Sequence, residues 1–346
     1  MKTARSLTTR PLVRALCALV LAGAMIIPAT AQPGGAPPPG ALNGPGGPGG
    51  IPGGARGGAP GGPGAGQRGG ARGGPAAQPP GPPAPVPPAV AMARPTEAEL
   101  VQLNDAVKRF VASNPIATKY PSLVTVTPPR ANPAASYSRS GVRNDQRHNA
   151  FVELAKKGDI DILFHGDSIT DWWQQAGAQG GKEVFDKYFG GQKIANFAIA
   201  GDTTQGLLWG LKNGEGEGFS PKAIMLMIGT NNTGGNTGPE IAEGVGAVVQ
   251  ELRTRFPSAK ILLLAIFPRG AGPTDANRLK NDEANKIIAK LHDNRNVFFM
   301  DLAPKFLDDK GVILPGLFRN DNLHPAAPGY EVWAQAVKDK LAELMK

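Results

Sequence analysis

From residue 160 onward, the apolar residues form five short continuous runs, and the stretches between these runs repeat apolar positions at helical spacing. The apolar runs are 160–164, 194–199, 223–228, 261–266 and 297–302. The helical stretches lie near 182–189, 203–211, 239–256, 275–291 and 328–345. Runs without polar alternation are typical of strands buried on both faces. Because such strands alternate with helices, the pattern predicts a doubly wound α/β domain with a five-stranded parallel sheet covered by helices on both faces.

The segment before this domain also has helical patterning. Thr96 and Glu99 form a capping-box pair ahead of apolar residues at helical spacing, which predicts a helix there. A second helix is predicted over 145–157, ended by Gly158. We therefore divide this part of the chain into an N-terminal helical extension, 95–143, and the α/β domain, 144–346. The sequence leaves open whether the extension caps a functional site or braces the sheet.

The first 94 residues predict a leader, 1–31, and a linker, 32–94, whose Gly- and Pro-rich composition cannot form a packed core. Within 1–31, four basic residues precede an apolar run of 13 residues, 15–27, and a small-residue cleavage pattern, which is typical of a secretory signal peptide. The alternative is a membrane anchor, but this run is shorter than the roughly 20 residues that cross a bilayer. Residues 32–94 contain 21 Gly and 17 Pro and predict a disordered linker. We expect an exported protein, periplasmic or extracellular, without stable membrane insertion after cleavage.

The formal charge of +9 comes almost entirely from the leader and the linker. Eight basic residues and no acidic residue lie in 1–94, which leaves 29 basic against 28 acidic residues in the rest. Arg-Gly-Gly steps in the linker are compatible with RNA binding, but an exported protein does not meet RNA, and we predict no nucleic-acid partner. The single cysteine, Cys17, lies in the signal peptide. The mature chain would therefore have neither a disulfide nor a cysteine nucleophile.

Polar residues follow the predicted strands, and the carboxyl ends of parallel strands meet at one edge of a sheet. Ser168 follows the first strand and is either a presented nucleophile or the N-cap of a helix. Gly201 follows the second strand and either belongs to an ordinary strand-to-helix turn or presents its backbone N–H to a ligand without a side chain in the way. Asn231 follows the third strand and is either an amide donor to an oxyanion or a left-handed turn residue.

A fourth loop adds an acid and a base. Asp321 and His324 are three residues apart before the last helix, so Asp321 can orient an imidazole that takes a proton from Ser168. An isolated Asp-x-x-His is usually structural. Here the pair follows Ser168, Gly201 and Asn231 on separate loops at one end of the predicted sheet. This combination predicts an acyl-transfer site.

Five stretches of the sequence resemble the SGNH (GDSL) hydrolase family, and more specifically its platelet-activating-factor acetylhydrolase catalytic-subunit branch, over about 147–345. They are FHGDSITDWW, NFAIAGDTTQGLLWGLKNGE, MLMIGTNNTGGNT, LLLAIFPRG and NDNLHPAAPGYEVWA. The resemblance implies a flavodoxin-like sheet with strand order 2-1-3-4-5. It also implies that Ser168 is the nucleophile and that His324 and Asp321 complete a triad. The backbone N–H groups of Ser168 and Gly201 and the Asn231 amide would form the oxyanion hole.

Two alanines depart from the pattern of this branch. Ala198 and Ala200 stand where it usually has glycine, beside the predicted oxyanion hole. Their methyl groups would narrow the acyl pocket or shift the loop, which bears on the substrate and leaves the mechanism intact.

The sequence as a whole predicts an exported serine esterase that removes short acyl groups, above all acetyl, through an acyl-enzyme. Export on a tether favours an acetylated carbohydrate or another small ester, whereas the resemblance favours an acetyl- or lysophospholipid, and a non-catalytic exported binding module is a further alternative. Candidate substrate contacts are Trp172, Trp173 and Arg269, with a structural role for Arg269 also open. No cofactor is predicted. No metal is predicted either, because His165, Asp167 and Asp202, the conceivable ligands, lack dedicated spacing. The sequence makes no prediction of the oligomeric state.

Overall fold

The computed structural model describes residues 81–126 and 130–346. The predicted signal peptide, 1–31, and the linker up to residue 80 lie outside the described residues. Five strands form one parallel sheet in the order β2-β1-β3-β4-β5. Their bounds are β1 Ile162–Gly166, β2 Ile194–Asn196, β3 Ala223–Met227, β4 Lys260–Leu264 and β5 Val297–Met300. The predicted doubly wound, flavodoxin-like sheet is confirmed.

Helices follow or precede every strand. The α-helices of the described chain are α1 Glu97–Ser113, α2 Pro115–Lys119, α3 Asp145–Lys156, α4 Ser168–Asp171, α5 Lys182–Phe189, α6 Thr204–Gly210, α7 Gly238–Arg255, α8 Ala276–Ile288, α9 Ala303–Phe306 and α10 Ala327–Leu344. Short 3-10 turns lie at Pro121–Leu123, Pro133–Ala135, Trp172–Gln174, Thr230–Gly234 and Ala289–Leu291, and a π turn at Leu211–Glu215 follows α6. The capping box at Thr96 is present as predicted.

The sheet separates two hydrophobic cores because neighbouring strand residues point to opposite faces. Leu163 packs with side chains of α3, α6, α7 and α8. Its neighbours Ile162 and Phe164 pack instead with side chains of α5 and α10. The strand residues are buried on both faces, which explains why the sequence shows continuous apolar runs instead of alternation.

The second strand is shorter than its apolar run. It ends at Asn196, whose side chain accepts a hydrogen bond from Ala198 N and donates one to Thr170 O. This local turn replaces the regular ladder, although Phe197 N still donates to Phe164 O. The run 197–199 is therefore buried for packing and no longer paired as a strand.

The folded unit begins earlier than the predicted linker boundary at residue 94. Ala84 N donates to Ala135 O over 2.9 Å, and Met92 N donates to Glu243 Oε1 over 2.7 Å. Val90 is 3% exposed and packs on α7. Residues 81–94 thus pack against the domain, and the predicted linker end is wrong by about a dozen residues. Proline and glycine content alone does not distinguish a linker from an extended segment that finds partners in the fold.

Helix α1 contributes little to either core. None of its residues is buried, and Phe110 on its apolar side is 39% exposed. The later part of the extension, 130–143, packs closely on α6 and α7 instead, through side chains described below. Among the described helices, none is both long and apolar enough to cross a membrane.

Candidate active site

Ser168 lies at the carboxyl end of β1, directly after a tight exit from the sheet. Gly166 is required there because a Cβ at this position would lie 2.3 Å from Met227 O. Asp167 caps α4 by accepting a hydrogen bond from Ile169 N, so Ser168 is the first helical residue and not the cap. The Ser168 Oγ lies 2.8 Å from His324 Nε2. Because Ser168 does not cap the helix, its hydroxyl is available as the candidate nucleophile, with His324 placed to accept its proton.

His324 is held in one orientation by Asp321. Its Nδ1 lies 2.7 Å from Asp321 Oδ2, while Asp321 Oδ1 accepts the backbone N–H groups of Leu323 and His324. With Asp321 accepting the Nδ1 proton, Nε2 is the acceptor that faces Ser168. The two side chains lie together at the three-residue spacing, and the fold brings His324 to Ser168 across 156 residues of chain.

Burial lowers the pKa of His324 below its ordinary value, and the charges of Arg319 and Arg269 lower it further. Asp321 opposes this through its hydrogen bond and its negative charge, but the net direction is downward. The pKa of Asp321 is also lowered, since hydrogen bonds from His324 and Leu323 outweigh the opposing effect of burial. At neutral pH the pair is therefore a neutral imidazole beside a carboxylate, which is the protonation state that a general base requires.

The Gly201 loop, defined here as residues 198–202, faces Ser168 from β2. Gly201 has φ +83°, a left-handed conformation that a side chain would strain. In the described chain, the backbone N–H groups of Ser168 and Gly201 donate to no protein acceptor. Both remain available to an incoming carbonyl oxygen.

Asn231 joins this group from the loop after β3. Its Nδ2 donates to Asp202 O over 2.8 Å, and its backbone is not left-handed, so the turn interpretation of Asn231 does not hold. A carboxamide carries two N–H donors. One Asn231 N–H is used by Asp202 O, and the other is left for a ligand.

The two tryptophans after Ser168 have different surroundings. Trp173 is fully buried among the aromatic rings of Phe185, Phe189, Tyr330 and Trp333. It therefore cannot touch a substrate, and the prediction that it binds one is wrong. Trp172 is partly exposed, and its ring centroid lies 4.1 Å from that of His324. It remains a candidate for substrate contact.

Arg269 lies on the loop after β4, which is bonded to the His324 loop through Gly270 N and Asn322 O. Its Nη1 donates to the oxygens of Thr230. Within the described residues, Arg269 forms no ion pair with a carboxylate. Its guanidinium holds the loop before Asn231, and its charge acts on Asp167 and His324 in the candidate site.

The structure adds residues that the sequence did not single out. Arg319 packs over the Trp172 ring at 3.9 Å and donates to Gln175 Oε1. Val142 and Arg143, from the extension, contact the Gly201 loop. Nothing periodic marks such residues in a sequence, because their partners lie far away along the chain. Among the described residues, no group of three or more His, Cys, Asp or Glu is arranged to hold a metal ion.

The sequence profile of the GDSL-like lipase/acylhydrolase family matches residues 164–332, which span the candidate nucleophile and base. The chain is 36% identical over 223 residues to the rat (Rattus norvegicus) platelet-activating factor acetylhydrolase IB subunit alpha2, and the match covers 62% of this chain and 93% of the rat protein. The chain belongs to the GDSL-like lipase/acylhydrolase family. Members of this family hydrolyse esters, so the protein is an ester hydrolase.

Solved structures of similar fold include two from bacteria. One is described as a putative platelet activating factor from Streptococcus pneumonia, at 24% identity with a TM-score of 0.45, covering 57% of this chain and 92% of that chain. Another is an acetylxylan esterase from Geobacillus stearothermophilus, at 20% identity with a TM-score of 0.43, covering 52% of this chain and 93% of that chain.

Proposed function

We propose that this GDSL-family hydrolase is an exported serine esterase that removes short acyl groups, above all acetyl, through an acyl-enzyme. The hydrogen bond between Ser168 Oγ and His324 Nε2, continued to Asp321, carries this proposal. Ser168 Oγ attacks the ester carbonyl while its proton passes to His324 Nε2. The tetrahedral oxyanion receives hydrogen bonds from Ser168 N, Gly201 N and Asn231 Nδ2.

The tetrahedral intermediate then breaks down to the acyl-enzyme. The bond between carbonyl carbon and alcohol oxygen breaks, and His324 gives its proton to the departing alkoxide. A water next gives a proton to His324 and attacks the acyl-serine, and collapse of the second intermediate returns the proton to Ser168 and releases the carboxylic acid. Asp321 keeps its negative charge throughout and stabilises the imidazolium.

A short acyl group is favoured by the packing around Ser168. Ile169 and Thr230, the residues after Ser168 and before Asn231, are 1% and 0% exposed, and Val142 covers Gly201. Each of these side chains adjoins a proposed oxyanion donor, and such close packing favours a small acyl group beside the carbonyl carbon. The acetylhydrolase name of the rat relative favours the same acyl group.

A carbohydrate alcohol is favoured by the polar rim beside His324. Gln175 and Asp321 are exposed there, and Arg319 is partly exposed next to the partly exposed Trp172 ring. Hydroxyl-rich alcohols suit a rim that combines hydrogen-bonding groups with an aromatic face. The proposed export of the protein on a linker would bring this site to extracellular or periplasmic polysaccharide.

The second candidate substrate is an acetylated or lyso-phospholipid. The rat relative is named for such a lipid, and the exposed apolar side chains of the extension, including Phe110 and Ile116, are compatible with a lipid surface. Acetate release from acetylated xylan and from a short-chain acetylated phospholipid, measured side by side, distinguishes the two. We expect faster release per active site from xylan; release from the phospholipid alone would overturn the carbohydrate proposal.

The third possibility that the sequence left open, a binding module without catalysis, would require a broken triad, and none of the triad's members is missing here. A fluorophosphonate probe reacts only with an activated serine. We expect stoichiometric labelling of the wild-type protein and none of Ser168→Ala. Export is tested separately by the N-terminus of the mature protein, which we expect at Gln32 after cleavage of the proposed 1–31 signal peptide.

A further inference from the structure

Two arginines that precede β1 form hydrogen bonds to the two ends of the Gly201 loop. Arg143 ends the extension, and Arg147 lies on the first turn of α3. Neither contacts Ser168 or His324. Both contact the segment that carries the Gly201 N–H, one of the proposed oxyanion donors.

Arg143 holds the far end of the loop. It is fully buried, and its Nη2 and Nε lie 2.5 and 3.2 Å from Asp202 Oδ2. Ser140 Oγ donates to Asp202 Oδ1 over 2.6 Å, so three donors fix this carboxylate. The backbone carbonyl of the same Asp202 accepts the Asn231 amide. The position of Asp202 therefore sets both the Gly201 N–H and the Asn231 donor.

Arg147 holds the near end. Its Nη2 donates to Ala198 O over 2.8 Å and to Asp171 Oδ1 over 2.9 Å. The second oxygen of Asp171 accepts Ala200 N over 3.0 Å. Arg147 and Asp171 together thus bind the backbone on the strand side of Gly201.

We propose that Arg143 and Arg147 are positioning residues for the oxyanion hole, so that the segment before β1 completes the active site. The inference rests on the proposed function, because it assigns these arginines to the proposed Gly201 donor. A loop that turns through a left-handed glycine has few ladder hydrogen bonds of its own to fix it. Oxyanion donors stabilise the transition state best when they are already in place before charge develops. The two guanidinium groups hold the Gly201 loop in that position.

The buried surroundings of Arg143 make it the harder residue to test. It also pairs with Glu215 Oε2, and the other carboxylate oxygen, Glu215 Oε1, lies 2.7 Å from His148 Nδ1. Removing Arg143 would leave two buried carboxylates, Asp202 and Glu215, without their main counter-ion, and breaking such pairs can prevent folding. Arg147 has a side chain 39% exposed and can be changed with less risk. Ser140→Ala tests the Asp202 end in the same mild way.

The experiment compares Arg147→Met and Ser140→Ala with Arg253→Met as the matched control. Arg253 also binds backbone carbonyls, those of Ala259 and Pro257, but at the end of α7 away from the site. Steady-state hydrolysis of p-nitrophenyl acetate is measured well below each variant's melting temperature. We expect kcat to fall about 10- to 100-fold for Arg147→Met, because a displacement of about 1 Å in a catalytic group can cost about 100-fold in rate. KM should change less than about threefold. Arg253→Met should keep the wild-type kcat.

A double-mutant cycle separates positioning from mere stability. Ser140 Oγ holds Asp202, whose carbonyl accepts the Asn231 amide, so Ser140→Ala should lose part of its effect on kcat in an Asn231→Ala background. Full additivity of the two effects, or wild-type kcat in both Arg147→Met and Ser140→Ala, would overturn the inference. Loss of turnover in Ser168→Ala checks the proposed function independently: if that variant stays active, the Ser168 mechanism fails, whatever the arginine variants show.

Discussion

The indole ring of Trp172 packs against the imidazole of His324 with 4.1 Å between centroids, and Arg319 lies over the same indole at 3.9 Å. The stack does two things to the candidate base. It limits rotation of the imidazole, and it brings a permanent positive charge close to a ring that must accept a proton.

Removal of that charge should shift the pH dependence of hydrolysis. Burial and the charge of Arg319 both hold the pKa of His324 below its ordinary value, so wild-type kcat/KM should decline only as the pH falls below about 6.5. Arg319→Gln removes the repulsion and should raise the pKa of His324. The acid limb of the profile should then move to higher pH. Arg269→Gln should move it less, since its charge lowers this pKa less; an unchanged or downward-shifted limb in Arg319→Gln contradicts this account of the stack.

Loss of the Asn231 side chain should slow the chemical step. Asn231→Ala removes one proposed oxyanion donor and also the bond to Asp202 O. By comparison with the loss of a single oxyanion-hole donor, kcat should fall by about 10²- to 10³-fold with little change in KM. The measurement is hydrolysis of p-nitrophenyl acetate. A variant with near-wild-type kcat would mean that Asn231 does not face the oxyanion.

The buried carboxyl next to the candidate nucleophile should make stability depend on pH. Burial raises the pKa of Asp167 to about 7, reinforced by the charge of Asp202 and opposed by Ile169 N–H and Arg269. Between the unfolded value near 3.8 and about 7, the native state holds a proton that the unfolded chain has lost. This contribution to stability is therefore present below pH 4 and is lost as the pH rises to about 7, on the order of 4 kcal/mol in total.

Asp167→Asn tests this dependence while keeping an N-cap acceptor for Ile169 N. Denaturant unfolding is measured for wild type and variant at several pH values from 5 to 8.5. The variant should gain stability relative to wild type as the pH rises through this range. A constant difference between the two proteins would show that Asp167 does not titrate there.

Truncation of the two neighbouring tryptophans should affect different properties, namely stability for Trp173 and activity for Trp172. Trp173→Ala opens a cavity in the aromatic core and should cost about 3–5 kcal/mol of unfolding free energy. Trp172→Ala should cost less stability and instead lower kcat/KM, because His324 loses its packing partner. Thermal unfolding and p-nitrophenyl acetate hydrolysis of both variants check this contrast, and equal stability losses would contradict it.

Acyl-chain preference tests the packing around Ser168. The buried Ile169 and Thr230 adjoin proposed oxyanion donors, and under the short-acyl proposal kcat/KM for p-nitrophenyl acetate should exceed that for the octanoate ester. The same comparison on Val142→Ala should narrow the difference, since Val142 covers Gly201. A tenfold preference for octanoate in the wild type would contradict the short-acyl proposal.

Much of this structure could be predicted from the sequence because its main signals are local. Continuous apolar runs identified all five strands, and short loops after them placed Ser168, Gly201 and Asn231 at one sheet edge. The three-residue spacing of Asp321 and His324 gave their pairing directly. Each of these signals depends on residues close together in the chain.

The features that the sequence did not reveal depend on partners far away. The packing of Val90 on α7 and the grip of Arg143 on Asp202 join residues separated by more than 50 positions. Nothing local distinguishes Trp172 from Trp173 either, because which of two adjacent side chains turns inward depends on the helices that pack there. The predicted substrate role of Trp173 failed for this reason.

Labelling of the serine tests the central claim most directly. The protein and its Ser168→Ala variant are each treated with a fluorophosphonate probe, and the adduct is located by mass spectrometry. Turnover of p-nitrophenyl acetate is measured in parallel. The account predicts one adduct, on Ser168, with complete loss of turnover in the labelled enzyme and in the folded Ser168→Ala variant. An adduct on another residue, or a Ser168→Ala variant that keeps wild-type turnover, would contradict it.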